Sequence, residues 1–194
     1  MKIRIIKYKT VTSTNDVAID LIKNKKKEVG FIYADIQTNG KGTYGKKWIS
    51  QKGNLFGSIF FPLKKNYPPF NEFFTINSII ISNVIKLFCK KTMINLKFPN
   101  DIYINEKKAC GILQEIITFN KKKFLIIGIG LNTVINPYIG KKYRTTSIFR
   151  ETNKKPNIKK IIKLIVFSYI KFLTNIRSYE YDKIKKTANI MVLK

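Results

Sequence analysis

Histidine is absent from all 194 residues, and its absence removes whole classes of chemistry. Ser-His-Asp hydrolysis, imidazole general-base catalysis and His-ligated metal centres cannot be assembled. Cysteine is almost absent: Cys89 and Cys110 stand far apart without CxxC spacing, which encodes neither a zinc site nor a disulfide framework. A reduced, cytoplasmic setting is expected. Long apolar runs are missing as well. The longest, "TINSIIISNVIKLF" and "FLIIGIGL", fall short of the roughly 20 residues a membrane span needs, and "MKIRIIKYKT" lacks the apolar core of a signal peptide. No membrane association is expected, and any chemistry falls to lysines, carboxylates, backbone amides and positioning.

Acidic residues are few, 11 against 38 lysines and arginines, for a net charge of +27. Such a field attracts polyanions nonspecifically. Arginine, whose planar fork suits base and phosphate recognition, occurs only at Arg4, Arg144, Arg150 and Arg177. The lysines are spread over the whole chain among abundant Ile, Asn and Phe, a pattern of compositional bias rather than a binding patch. Hydrophobic residues at 44% and aromatics at 13% supply a core, and the length suits one main domain over residues 1–194.

Along the chain, "IRIIKYKTV" (3–11) reads as a strand. "STND" (13–16) starts a helix with Ser13 or Thr14 as N-cap. "VGFIYADI" (29–36) and "NLFGSIFF" (54–61) read as strands, and "FNEFFTINSIIISNVIKLFCKK" (70–91) as a core helix. "INLKF", "DIYIN" and "ACGILQEIITF" are short strands with a hairpin turn at "NEKK". A further strand, "KKKFLIIGIGLNT" (121–133), ends in glycines. One long amphipathic helix begins near Pro156, and residues 140–155 are the most loop-like stretch. The expected fold class is α+β, a mixed sheet with two or three helices packed on one face.

Three stretches could carry chemistry. In "QTNGKGTYGKKW" (37–48), Gly40, Gly42 and Gly45 let backbone amides approach an anion. Lys41, Lys46 and Lys47 add positive charge there, and Trp48 offers a flat aromatic face. The spacing is neither a P-loop nor GxGxxG opening a helix; a basic hairpin with Trp48 in the core is the alternative. In "KFPNDIYINEKKACGILQE" (97–115), Pro99 sets a turn that presents Asn100 and Asp101, with Lys97 and Lys108 on flanking strands. A lysine so placed can neutralise charge developing in a transition state, or be ordinary surface charge. In "IIGIGLN" (126–132), Gly128 and Gly130 permit close approach of a ligand or of a packed strand, with Asn132 beside them.

The order "STN", "ADIQTNGKGTYGKKWIS", "GNLFGSIFF", "KFPNDIYINEKKACGILQE", "IIGIGLN" resembles the successive motifs of the biotin protein ligase catalytic domain, approximately STN, QxxGRGRxGRxW, KWPND, KxxGIL and GIGxN. The resemblance covers residues 5 to 150. It implies the class II aminoacyl-tRNA synthetase-like biotin–lipoate ligase fold, with ATP and biotin as substrates and Mg²⁺ as cofactor. The implied reaction forms biotinyl-5′-AMP and then transfers biotin to one lysine of a carrier protein, expected to be the biotin carboxyl carrier protein of acetyl-CoA carboxylase. By the same resemblance, Ser13, Thr14, Asn15 and Gln37 line the biotin pocket. Gly40, Lys41, Gly42 and Thr43 form a loop that closes over the adenylate, and Lys108 contacts the biotin carboxylate and the phosphate. Lys108 and Lys41 are the expected catalytic residues. Gly111 and Gly128 pack on biotin and adenylate. Lys46, Trp48, Asn100, Asp101 and Asn132 serve ATP, with Asp101 the candidate metal ligand.

The chain departs from the pattern at Lys41, where Arg is usual, and at Thr43 and Tyr44, where a second basic residue is common. A lysine keeps the charge without the bidentate fork, and Thr43 keeps neither, so weaker retention of the adenylate is expected. No helix-turn-helix region and no C-terminal β-barrel are expected within the chain, hence no operator DNA binding. A homodimer paired through sheet edges is compatible with the family. A lipoate or octanoate ligase of the same fold, a non-catalytic biotin- or adenylate-binding remnant and a nucleic-acid-binding protein remain the alternative readings.

Overall fold

The computed structural model describes residues 2–138, 140 and 144–193. Seven strands make a mixed sheet. The chain divides into two compact units, residues 1–65 with 112–130 and residues 66–111 with 131–194.

The first unit opens with β1 (Ile5–Val11), α1 (Thr14–Lys23), β2 (Gly30–Gln37) and β3 (Leu55–Pro62). Ser13 caps α1, its Oγ accepting from the backbone N–H of Asn15, which satisfies one of the free donors of the first turn. β1 runs parallel to β2, and β2 antiparallel to β3. Strand β3 is buried at seven of its eight positions, so both of its faces are covered, and its sequence is accordingly a continuous apolar run rather than an alternating one. Next to β3 comes β7 (Lys122–Leu131), then β6 (Lys107–Phe119). The turn between them places Asn120 and Lys121 at positive φ, as a two-residue I′ hairpin demands. Ala18, Leu21 and Ile22 of α1 pack with Ile32, Phe60, Phe124 and Ile126 as one core.

In the second unit, α2 (Glu72–Lys86) precedes the antiparallel strands β4 (Ile94–Lys97) and β5 (Asp101–Ile104), followed by the start of β6. The "NEKK" turn is present, with Asn105 and Glu106 both at positive φ. Then come α3 (Ile148–Thr152), α4 (Ile158–Thr174) and α5 (Tyr181–Ile190). Strand β4 is extended sideways by the chain's last described residues: Leu96 N–H donates to Met191 O and Leu193 N–H to Leu96 O, covering backbone groups that an edge strand leaves open.

One expectation needs revision. Residues 140–155 include the five-residue α3, capped by the Ser147 hydroxyl, which is too short to show apolar periodicity. Some of that stretch lies outside the described residues. The long helix expected from near Pro156 is present as α4, and a further helix that the sequence reading does not include, α5, follows it. Tyr181, Ile184 and Ala188 share one face of α5, but only Ala188 is buried; the helix is short and packs on α2, so its formation depends on that partner. Among the described residues no helix is long and apolar enough to cross a membrane.

At the centre of the second unit, the fully buried Tyr169 of α4 donates its hydroxyl to Asn77 Oδ1 of α2 at 2.9 Å. Burial raises the Tyr169 pKa far above the usual phenol value, so the group stays a neutral donor. Tyr169→Phe is expected to cost about 1–2 kcal/mol. The loss would register as a lower urea midpoint at unchanged m-value.

Candidate functional site

The first cluster of motif residues lies wholly in the first unit. The α1 N-terminus delivers Ser13, Thr14 and Asn15, all buried, beside the C-terminal end of β2. Gln37 Oε1 accepts from Thr14 N–H at 2.9 Å and lies 3.1 Å from Thr14 Oγ1. Ser58 Oγ, on β3, lies 2.7 Å from Thr14 Oγ1 and 2.5 Å from Asn15 Oδ1. Asn15 Nδ2 donates to Glu115 Oε2 at 2.5 Å, and Gln37 Nε2 donates to Ser50 Oγ at 3.0 Å. A polar network this deep is tolerable only because its members satisfy one another.

Strand β7 supplies the room. A Cβ at position 128 would come within 2.6 Å of Asn15 Oδ1, and one at 130 within 2.4 Å of Trp48 Cε2. The two glycines sit two residues apart, on one face of β7. Each admits one side chain of the site, Asn15 at the first and Trp48 at the second. The close approach that "GIG" permits is therefore occupied, at least in part, by the protein's own groups.

The loop expected to close over a ligand is an ordered hairpin here. Lys41 and Lys47 form a β-bridge, Trp48 N–H donates to Gly40 O and Gly42 N–H to Lys46 O. A 3₁₀ turn, Thr43–Gly45, makes the tip. Tyr44 sits there in left-handed backbone (φ 55°, ψ 41°) and is 91% exposed. Lys41 pairs with Asp16 of α1, while Lys46 is exposed. Residues 39–42 and 45–47, with Leu113 and Glu115, line a cleft of ≈ 380 Å³, within the range of small-molecule sites. A larger cavity, ≈ 460 Å³, lies among Ser168, Phe172, Tyr179 and Ile184 in the second unit and contains none of the motif residues.

The second cluster lies wholly in the second unit and is built by a β-bulge. Asp101 faces Gly111 and Ile102 faces Cys110, but Tyr103 faces Lys108, leaving Ala109 as the extra residue on β6. Opposed residues share a face of a sheet, and a one-residue slip changes the face. The bulge thus brings Lys108 to the face of Asp101 and Tyr103, where Lys108 Nζ and Asp101 Oδ2 are 2.7 Å apart with side chains only 12% and 19% exposed. Asp101 Oδ1 is buried without a hydrogen-bond partner among the described residues. Asn100 ends the turn after Pro99, and Lys97 is opposite Asp101 on β4. Asn132 is buried, its backbone N–H on Ala109 O and its Nδ2 on Thr146 O at 3.0 Å, so it ties the bulge to the segment before α3. Burial holds both thiols in the neutral form. The Cys89 pKa rises to about 11 and that of Cys110 further still, with Asp101 adding to the rise and Lys108 opposing it.

Lys108 is braced by a group that no motif marked. Its backbone N–H donates to Arg144 O, and Thr146 N–H donates to Lys108 O. Glu151 accepts from Thr146 Oγ1 (2.5 Å), Asn105 Nδ2 (2.7 Å) and Lys107 Nζ (3.1 Å). Burial alone would raise its pKa; these donors outweigh burial and lower it. Ser58, Glu115 and Asp16 were likewise not singled out. Ser58 carries one signal, a lone polar residue inside "LFGSIFF"; Asp16 and Glu115 end the stretches "STND" and "KFPNDIYINEKKACGILQE" without a mark of their own, and Glu151 carries none.

A model of the biotin/lipoate A/B protein ligase family matches residues 8–132. The "Bifunctional ligase/repressor BirA" of Bacillus subtilis is 32% identical over 139 residues, which are 69% of this chain and 41% of that protein. Its Escherichia coli namesake is 32% identical over 125 residues, 63% of this chain and 38% of that protein. The chain therefore spans about two fifths of the length of these curated relatives. Among solved structures, a biotin protein ligase from Aquifex aeolicus in complex with biotin and ATP superposes with a TM-score of 0.81 at 27% identity, covering 98% of this chain and 78% of that one. The Leishmania major biotin protein ligase in complex with biotinyl-5-AMP gives 0.81 at 24% identity, covering 100% and 83%, a likeness of fold.

Gly130→Ala is expected to push the indole of Trp48, the chain's one tryptophan, out of its seat. Intrinsic fluorescence would report this as a red shift, with about 1–3 kcal/mol lost to overpacking. The lowered pKa of Glu151 means that its ionised form stabilises the fold above the ordinary carboxylate range. That contribution is lost as pH falls through the lowered value. In acid titrations followed by circular dichroism, Glu151→Gln should remove this component of the acid transition while destabilising the protein at neutral pH.

Proposed function

Because the chain belongs to the biotin/lipoate A/B protein ligase family, we propose that it is a biotin protein ligase, activating biotin with ATP and transferring it to a lysine of a carrier protein. The observation that carries this reading is the network at the α1 N-terminus, in which the buried Thr14, Asn15 and Ser58 are joined to the half-buried Gln37 and Glu115. Its amide and hydroxyl groups match a ligand that, like a cyclic urea, offers both N–H donors and a carbonyl acceptor. A lipoyl or octanoyl chain offers no such groups, so it gains nothing from the lone pairs and donors that the network leaves open beyond its internal bonds.

In this proposal Ser13, Thr14, Asn15 and Gln37 hold the ureido ring, and Gly40, Lys41, Gly42 and Thr43 close over the adenylate. Lys108 meets the substrate carboxylate and the α-phosphate. Attack of the carboxylate oxygen on the α-phosphorus forms a C–O–P link and breaks the bond to the β-phosphate oxygen, releasing pyrophosphate. Two anions approach one another in that step, so a fixed ammonium that offsets their repulsion lowers the barrier. In the second step the carrier's lysine amine attacks the acyl carbon, AMP departs with the bonding electrons and the amine loses a proton. Asp101 holds Lys108 where the bulge has turned it. Lys46, Trp48, Asn100 and Asn132 are assigned to the nucleotide, and Gly111 and Gly128 to close packing of biotin and adenylate. Asp101 Oδ1, without a hydrogen-bond partner among the described residues, fits a single protein ligand to hydrated Mg²⁺, which would supply charge neutralisation at the phosphates. No cluster of three or more Cys, Asp or Glu that could hold an ion outright occurs among the described residues. The biotin carboxyl carrier protein of acetyl-CoA carboxylase is the proposed acceptor.

Incubation with biotin, MgATP and an apo-carrier should give a carrier heavier by one biotinyl group, detected by mass spectrometry. Lys108→Ala should lower the rate by at least about a hundredfold, the scale of losing one charge-stabilising group. No increment with biotin, or a lipoyl-sized increment when lipoate replaces biotin in a parallel reaction, would reject the assignment. Thr43→Arg, which adds a guanidinium fork to the loop, should slow release of the preformed adenylate severalfold in a filter assay.

A further inference from the structure

Proton counting in the first cluster leads to a residue outside the proposed ligand contacts. Thr14 and Ser58 have one hydroxyl proton each, yet three close oxygen contacts compete for them: Thr14 to Gln37 Oε1, Thr14 to Ser58, and Ser58 to Asn15 Oδ1. One contact must go without. The choice depends on which way the Asn15 carboxamide points. An ionised carboxylate only accepts hydrogen bonds, so Glu115 requires Asn15 Nδ2 towards itself and thereby turns Oδ1 to Ser58. A reversed amide would set two acceptors face to face at 2.5 Å. Gly128, whose backbone lies against the same carboxamide, leaves little space for another rotamer.

With Oδ1 facing it, Ser58 must give its proton to Asn15. The 2.7 Å contact between Ser58 and Thr14 is then favourable only if Thr14 supplies its own proton to Ser58, while Gln37 Oε1 keeps its bond from Thr14 N–H. We propose that Glu115 fixes the hydrogen-bond polarity of this chain of groups and so makes Thr14 Oγ1 an acceptor towards the ligand, selecting an N–H donor at that position. Glu115 is a specificity-determining residue that acts through Asn15 and Ser58 without touching the ligand's ring. The identity of the N–H as a ureido nitrogen rests on the biotin reading; the polarity itself does not.

Glu115→Gln provides the test, because the new amide can donate to Asn15 Oδ1 and lets the carboxamide reverse. Asn15 Nδ2 then donates to Ser58 and Ser58 to Thr14, so the Thr14 proton is released from Ser58 and the ligand competes for it only with the longer 3.1 Å contact to Gln37 Oε1. The first arm needs no ligand. In ¹⁵N-edited spectra, the Asn15 side-chain amide protons should move markedly upfield in Glu115→Gln as the carboxylate acceptor is lost, with the urea midpoint otherwise close to wild type. The second arm compares, by calorimetry, biotin with the two cyclic carbamates in which oxygen replaces one ureido N–H. Wild type should disfavour one carbamate by about ten- to a hundredfold, and Glu115→Gln should shrink that ratio at least about tenfold. In a Ser58→Ala background, where the relay is cut, Glu115→Gln should leave the ratio unchanged. Unmoved Asn15 amide protons would overturn the proposal, as would an unchanged ratio in Glu115→Gln with intact biotin binding. A wild type that binds no biotin while its Asn15 amide responds as described would sink the biotin reading and uphold the polarity set by Glu115.

Discussion

The constraint on which the first unit depends is the confinement of one carboxamide. Asn15 sits at the second position of α1, where the helix start fixes its Cα. Its two polar atoms are claimed by Glu115 and Ser58, and its third side is closed by the backbone of Gly128. Three strands and a helix meet on this one group. The same strand that yields at Gly128 yields again at Gly130 for Trp48, and Trp48 anchors the base of the basic hairpin through Gly40. Any side chain at either glycine would displace a group that organises the site.

The second unit solves a different problem by a different device. In the role proposed for it, Lys108 has to be restrained and yet available, with little arginine in the chain to share the task. A pair with Asp101 restrains the ammonium, and the low exposure of both groups keeps the interaction from being screened away as a surface pair would be. The backbone of Lys108 is braced by residues 144 and 146, and Glu151 ties Thr146 to the turn at Asn105 and Lys107. In a chain with 11 acidic residues, spending Asp101, Glu115, Glu151 and Asp16 within the two clusters and at the loop shows where negative charge is needed. Surface pairs such as Lys7–Asp35 and Lys122–Glu28 are far more exposed than Lys108–Asp101.

The hairpin loop joins both themes. In an isolated reading, its glycines and lysines suit either a phosphate cradle or a solvated turn. Its bridge and capping hydrogen bonds give it a defined shape, and its Lys41 is held by Asp16 at the start of the helix that carries Thr14 and Asn15. Thr43 and Tyr44 at the tip bring no charge, so the cations all lie on the two arms. A loop so built contributes a general positive field more than directed, bidentate contacts.

The sequence by itself determined the elements and the inventory. Apolar periodicity, the Ser13 cap and the "NEKK" turn placed the strands and the first helices within a few residues, because those signals are local. The ordered motifs identified the family and named Thr14, Asn15, Gln37, Lys41 and Lys108. Short α3 and lysine-rich α5 escaped because α3 is little more than one capped turn and the apolar face of α5 is too sparse to stand without α2. What only the tertiary structure decided is which of the named groups meet, and how. No local signal announces that Ala109 bulges, yet without it Lys108 and Asp101 would occupy opposite faces of the sheet. Nor does any spacing reveal that Glu115, a hundred positions from Asn15, sets that residue's orientation: hydrogen-bond polarity is a property of a closed network, and the network closes only when the strands are in register.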